Sequence, residues 1–467
     1  MWFALLRGIS LSLIFAVVML PLQWFTVVET PLGTFRLHQV GLVLLAVVVC
    51  ALVRPSVYLR RLAAIWWLVA LYGVGLVILL AATIAHGDAL SVPVQQLVYL
   101  VGTCSGVVAL SLLIRYEQVY RLRWCGVLSV TVLVAGLALG LSHNHVQVLK
   151  VLTKAITTGS SDVIGYELYR PAFAGFGINL ADATSQLRHE VFAGMLIGLA
   201  VGSFAMSYQP DRAGKAVRRL HSVALVVGMI LLAASLSRAV TLAALVWPAY
   251  ILVRAISRAR LDVGSLAAVV VGPLLVVLLV GTGAAGVLID RLRDPQSSQA
   301  RGVLLEGALS RLDNAAYWGG QYDDRISSHN FVIDAWLRGG MVLAVLMAMI
   351  MLGTWLTLGR LFWASARLPA WSAPVAMMLA LPSVRMLTIG AGLLTPPEWV
   401  GLGLGVFLTG QALHSRALSS RALSIRERLM APRMTATPLA LPGAPQGRGF
   451  GVAGAAGRHA RPMRGRA

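Results

Sequence analysis

Twelve mostly apolar runs constrain this chain more tightly than any motif in it. They centre on residues 9–27, 39–53, 63–84, 94–114, 125–142, 190–207, 220–236, 239–253, 264–287, 341–359, 373–394 and 398–414. No water reaches the backbone inside a bilayer, so a spanning segment must satisfy its own N–H and C=O groups. A helix needs about 20 apolar residues to do this across the hydrocarbon core. With 58% hydrophobic and 12% charged residues and a mean hydropathy of +0.79, the composition excludes an ordinary soluble domain. The expected fold is all-α: a polytopic membrane helix bundle of about twelve spans over residues 1–414, followed by a basic tail at 415–467. No small-residue cleavage pattern follows the first run and further spans begin soon after, so it reads as a retained helix.

Lys and Arg resist translocation and gather on the cytoplasmic side of a membrane. Here they crowd the short connections at 54–61, 115–123, 212–219, 254–260 and 360–367, and both ends of the chain fall on that same side. The long connections 143–188 and 288–340 fall on the opposite one. The formal net charge of +21 follows from this layout and from the ten Arg of the tail, so nucleic acid binding is not implied. The tail mixes Arg with Pro, Gly and Ala, and is expected to be disordered and to touch anionic membrane lipids. Cys50, Cys104 and Cys125 fall in or beside apolar runs without metal-like spacing, and are expected to be packing residues.

Connection 143–188 opens with His143-Asn144-His145, which could bind a metal only with a third ligand; none stands at useful spacing, so two interfacial histidines are expected. Val146–Leu152 is amphipathic and suited to lying along the interface. Tyr166–Pro171 and Gly175-Phe176-Gly177 read either as a turn-rich platform for stacking on sugars or as ordinary interfacial aromatics.

Connection 288–340 is the most polar of all. Ala300–Leu312 carries Val303, Leu304, Ala308 and Leu312 at helical spacing, and Arg301 would open that helix. Tyr317-Trp318-Gly319-Gly320 reads as a turn. Ser327 or Ser328 could cap a helix running through Phe331, Ile333, Ala335 and Trp336, with His329 in its first turn. Arg238 sits at a comparable border, so one His and two Arg could meet on one face. That set suits an anionic leaving group and a nucleophile that needs a base. The structural alternatives are a His329 bonded to Asp334 or Asp324, and an Arg238 that snorkels from a helix end.

Three local patterns occur in order: Ser235-Leu236-Ser237-Arg238-Ala239; then Ala300-Arg301-Gly302 with Ala308-Leu309 and the pair Gly319-Gly320; then Ser328-His329-Asn330 with Gly340. Together they resemble the Ser-Arg motif, the Arg-led loop helix and the His-Asn motif before a Gly-x-x-Gly helix start of the O-antigen ligase and polysaccharide polymerase superfamily. Leu343 replaces the second Gly, Arg338 stands where an acidic residue is usual, and the stretch from Arg301 to His329 is short for a ligase. The motif content is confined to residues 235–343.

The resemblance implies a metal- and cofactor-independent membrane glycosyltransferase of the bacterial inner membrane, with a periplasmic active site and both termini cytoplasmic. It would transfer a glycan from undecaprenyl diphosphate to an acceptor hydroxyl, of lipid A core for a ligase or of another lipid-linked glycan for a polymerase. A chain-length regulator or a flippase would be further partners. In that chemistry Arg238 and Arg301 hold the diphosphate through bidentate bonds and a charge that is not lost at neutral pH. His329 is the base, an imidazole with an ordinary pKa of roughly 6.5. Arg291, Arg293 and Arg325 compete with Arg301 and count as substrate-binding candidates. So does Arg385, placed inside a run where a cation costs at least about 2.5–3.5 kcal/mol; its rival role is an ion pair within the bundle. Two other classes stay open. A transporter would show repeats and broken spans with polar residues at the midplane, and a non-catalytic scaffold would leave the polar connection unexplained.

Overall fold

The computed structural model describes residues 2–30, 33–174, 185–235, 237–258, 295–315, 317–322, 327–328, 330–388 and 392–430, and for 2, 33, 161, 185–187, 295–301 and 416–430 the backbone course alone. Helix α1 (Trp2–Met19) leads into two short antiparallel strands, β1 (Thr26–Thr30) and β2 (Gly33–Arg36), paired Thr30 to Gly33 and Val28 to Phe35. The expected span over 9–27 is corrected accordingly. Pro21 cannot continue a helix, and the β-branched residues at 26–28 suit a strand.

The chain continues through α2 (Leu37–Leu52), α3 (Trp66–His86), α4 (Ser91–Arg115), α5 (Trp124–His143), α6 (Val148–Thr158), α7 (Ser185–Tyr208), α8 (Lys215–Ala234) and α9 (Arg238–Ser257). Then follow α10 (Pro295–Leu309), α11 (Leu312–Ala315), α12 (Phe331–Trp363), α13 (Ser372–Thr388) and α14 (Pro396–Met430). Among the described residues seven helices are long and apolar enough to cross a membrane, and Phe3–Met19, Leu37–Leu52 and Ser372–Thr388 are shorter apolar helices. The fold is an all-α bundle of the membrane type. The expected run at 264–287 lies outside the described residues, and the run at 373–394 ends as helix at Thr388.

Residues Met1–Ala417 form one compact unit and Leu418–Ala467 another. The backbone stays helical to Met430, past residue 415 where a disordered tail was expected. Ser415–Met430 contains no Gly or Pro that would stop a helix.

Helix α7 is the packing centre. Phe192, Met195, Leu196, Leu199 and Phe204 are fully buried. Gly194, Gly198 and Gly202 recur one turn apart, and a Cβ at any of them would collide with the Leu20 carbonyl, the Ser129 hydroxyl or the Gly126 backbone. Small residues at this spacing let helix backbones approach without an intervening side chain.

In the connection before α7, α6 is amphipathic as expected: Val151 and Ala155 are buried and Leu149 is exposed. The turn-rich platform is not. Ile164–Tyr169 is a wide helical turn continued by Arg170–Phe173. Tyr169 is buried against Phe173 and Phe192, while Tyr166 is exposed. Gly175-Phe176-Gly177 lies outside the described residues. The Asn144 amide donates to the Gly140 carbonyl at 3.0 Å and to the Pro171 carbonyl at 2.8 Å, tying this turn to α5.

Candidate active site

A knot of hydrogen bonds precedes α12. Asn330 Oδ1 accepts from the N–H groups of Val332 at 3.1 Å and Ile333 at 3.2 Å, so Asn330 is the N-cap, in place of the expected Ser327 or Ser328. Both serines are drawn instead to Asp334. Ser327 Oγ donates to Asp334 Oδ2 at 2.6 Å, and Ser328 donates to Oδ1 through Oγ at 2.6 Å and N at 2.8 Å. The Asn330 N–H in turn donates to Ser328 Oγ at 3.1 Å. Asp334 is fully buried in the first turn of α12, where a carboxylate is favoured by the helix dipole. Position 329 therefore precedes the cap and does not fall in the first turn; His329 itself lies outside the described residues.

Helix α12 is broken at Gly339 and Gly340, whose backbone is non-helical. Gly340 has φ 77° and ψ −178°, a region that side-chain-bearing residues essentially never occupy, and a Cβ there would collide with the Tyr317 carbonyl. The expected turn fits against this break, with Gly319 at φ 75° and Gly320 at φ 79°. Gln321 N donates to the freed Leu337 carbonyl at 2.9 Å, and the Arg338 guanidinium lies 3.5 Å from the Tyr322 ring centre. Ala308, Leu312 and Ala315 pack on Ile333, Trp336 and Leu337, so α10 and α11 lie along the first half of α12. Gly340→Ala is expected to cost about 1–3 kcal/mol from backbone strain alone, seen as a lower thermal midpoint of the detergent-solubilised protein.

Across from the knot, α13 carries Arg385, which is 4% exposed and pairs through Nε with Glu398 Oε1 in the first turn of α14. Glu398 Oε2 accepts from Thr395 N at 2.7 Å, one half of a capping box. Arg385 Nη1 and Thr395 Oγ1 are buried without a hydrogen-bond partner among the described residues. Gln96 braces the same connection: its Nε2 donates to the Leu394 carbonyl at 3.2 Å, and its Oε1 accepts from Trp399 Nε1 at 3.2 Å and from the Tyr72 hydroxyl. Gly392, at φ 65°, lays its backbone on Asp334 and Ala335 so closely that no Cβ would fit. The α13–α14 connection thus joins the ion pair to the Asp334 knot.

Arg238 is placed by a turn of two buried serines. Ser235 Oγ donates to the Leu232 carbonyl at 2.6 Å and accepts from Ser237 N at 3.2 Å; Ser237 Oγ accepts from Val240 N at 3.3 Å and caps α9. The Tyr169 hydroxyl donates to the Ala234 carbonyl at 2.5 Å, and burial pushes its pKa up, so it keeps the proton it donates. Arg238 is the first residue of α9 and half-buried. A cation at a helix N-terminus opposes the dipole, so helix stability does not account for it. Anions are favoured at helix N-termini, and a guanidinium at the same place adds to that preference.

Further along, the hydroxyls of Tyr250 and Ser372 lie 2.8 Å apart, and Arg258 donates to the Ala366 and Leu368 carbonyls at 2.6 and 2.9 Å. These contacts tie the C-terminal half of α9 to the start of α13 and to the turn before it.

Of the expected site residues, Arg238 stands at the start of α9 and Arg385 within α13. Arg301 falls in the second turn of α10 and does not open it, because the helix begins at Pro295, a residue favoured at the first helical position; its side chain is outside the described residues. Arg291, Arg293 and Arg325 also lie outside them. Glu398 was not among the expected site residues; Thr395-Pro396-Pro397-Glu398 at the head of an apolar run was the signal for it. Among the described residues no group of three His, Cys, Asp or Glu is placed to hold a metal ion. Comparison with protein-family models, with curated proteins and with solved structures returned no match.

Proposed function

We propose that the chain is a membrane glycosyltransferase resembling the O-antigen ligases, which moves a glycan from undecaprenyl diphosphate to an acceptor hydroxyl at the periplasmic face of a bacterial inner membrane. The observation that carries this reading is the setting of Arg238: a half-buried cation at a helix N-terminus, in a bundle whose α13–α14 connection touches the knot before α12. In the reaction the acceptor oxygen bonds to the anomeric carbon and the bond from that carbon to the phosphate oxygen breaks. The electron pair leaves with the diphosphate, and the hydroxyl proton passes to His329. Arg238 and Arg301 take up the charge of the leaving group, with Arg291, Arg293, Arg325 and Arg385 as further contacts. Twelve spans with both ends cytoplasmic would put connections 143–188 and 288–340 in the periplasm.

A repeat-unit polymerase would use the same donor with a lipid-linked acceptor. A secondary transporter is the second reading, favoured by the broken α12 and the buried Arg385–Glu398 pair, since carriers use interrupted helices around midplane sites.

The test is surface-glycan analysis of a host lacking the protein, complemented with the wild type or His329→Ala at matched membrane levels. We expect the variant to fail. Long lipid-linked chains accumulating beside bare lipid A core then support a ligase, and single repeat units a polymerase. Normal surface glycan from His329→Ala would remove the catalytic assignment and favour the transporter or scaffold readings.

A further inference from the structure

Two large aromatic side chains stand outward on the turn that packs against the break in α12. Tyr317 and Trp318 are each 68% exposed. Their backbone is fixed nonetheless. The Tyr317 carbonyl and Trp318 N lie so close on Gly340 that no Cβ would fit there, Gly319 N donates to the Ala315 carbonyl at 2.7 Å, and Gln321 N donates to the Leu337 carbonyl at 2.9 Å. The rings are therefore held at the level of the break, where water around them would forgo the gain of burying an aromatic side chain.

What lies at that level follows from α12. Residues 339–359 carry no charged side chain, and Arg338 and Arg360 flank them. From the break to Arg360 the helix measures roughly 30 Å at 1.5 Å per residue, the thickness of a hydrocarbon core. Val342, Val345, Met349, Leu352 and Leu356 recur three and four residues apart and are exposed along one face. Such a continuous apolar stripe suits lipid chains and not water. Trp363, 94% exposed, stands at the far end. Trp and Tyr gather at the two membrane–water interfaces, where the ring meets acyl chains and the polar edge meets headgroups.

We infer that Tyr317 and Trp318 seat in the headgroup layer of the membrane, anchoring the turn before α12 to a lipid surface, with Trp363 at the opposite interface. The inference goes beyond the transferase reading and does not depend on it. Lipid is the occupant, because the apolar stripe starts at Val342, two residues past the Gly340 on which the turn rests.

The test places the protein in lipid nanodiscs, where aqueous solutes reach both faces. Fluorescence of the wild type minus that of Trp318→Phe isolates Trp318, and the same subtraction with Trp363→Phe isolates Trp363. The quenchers are phosphatidylcholine brominated beside the headgroup, phosphatidylcholine brominated near the chain end, and aqueous iodide. We expect lipid brominated beside the headgroup to quench both signals at least roughly twofold more than lipid brominated near the chain end, with iodide the weakest of the three. A Trp318 signal quenched by iodide and untouched by either lipid, beside a Trp363 signal of the expected pattern, would overturn the anchor and leave the rings facing water, free to stack on a glycan. A Trp318 signal quenched most by the chain-end bromines would overturn it too, by placing the turn within the bilayer. Iodide quenching of both residues would show that α12 does not cross the membrane between them, and the anchor would fall with that placement.

Discussion

Replacing Glu398 by Gln is expected to destabilise the bundle by about 3–5 kcal/mol, read as a large drop in the thermal midpoint of the protein in detergent. The side chains of Arg385 and Glu398 are 4% and 3% exposed, so neither has water to fall back on. Glutamine has nearly the same shape and can still accept from Thr395 N, which leaves the lost charge as the main change. The guanidinium would then be buried without compensation. Removing the cation as well, in an Arg385→Met/Glu398→Gln double variant, should recover most of the loss, because a pair replaced by uncharged groups leaves no orphaned charge. Equal midpoints for wild type and Glu398→Gln would show that the carboxylate is not what balances Arg385.

For Arg238 the expectation concerns rate. Arg238→Ala should lower glycan transfer roughly 10²- to 10³-fold, the range seen when one preorganised group facing a developing negative charge is removed. Arg238→Lys should restore only part of this, since an ammonium cannot make the paired, planar bonds that a guanidinium offers to phosphate oxygens. The measurement is transfer of extracted lipid-linked glycan in membranes holding equal amounts of each variant. Full activity in Arg238→Ala would mean that this residue only snorkels from the end of α9.

Hydropathy alone located most of the bundle, since one variable decides whether a run can live among apolar neighbours. It could not locate the ends. The first run seemed to reach residue 27 because Val is as apolar in a strand as in a helix, and only Pro21 and the β-branched cluster separate α1 from β1. Capping chemistry was half legible. Ser327, Ser328 and Asn330 are all good caps, and which one serves depends on Asp334 drawing off the serines, a contact that spacing along the chain does not reveal. Arg385 was recognisable as a cation in an apolar run, but its partner sits on the next helix across a connection, so a choice between anion binding and ion pairing could not be made from the run itself. The ion pair is present, and Arg385 Nη1 is left without a hydrogen-bond partner among the described residues. The three resemblance patterns lie far apart in sequence, so whether they meet is not legible from spacing along the chain.

The break in α12 also bears on how the chain is threaded into a bilayer during synthesis. At 1.5 Å per residue its 33 residues would measure roughly 50 Å, well beyond a hydrocarbon core of about 30 Å. Asp334 and Arg338 both precede the break, so the stretch that lipid would accept begins at Met341. An insertion channel that releases the later half sideways can leave Phe331–Arg338 standing outside as a stalk. The Leu337 carbonyl, opened by the break, is then left for the Gln321 amide to find once the preceding connection folds back. On this view the glycine pair is a stop mark, telling the inserting chain where the stretch that lipid accepts begins.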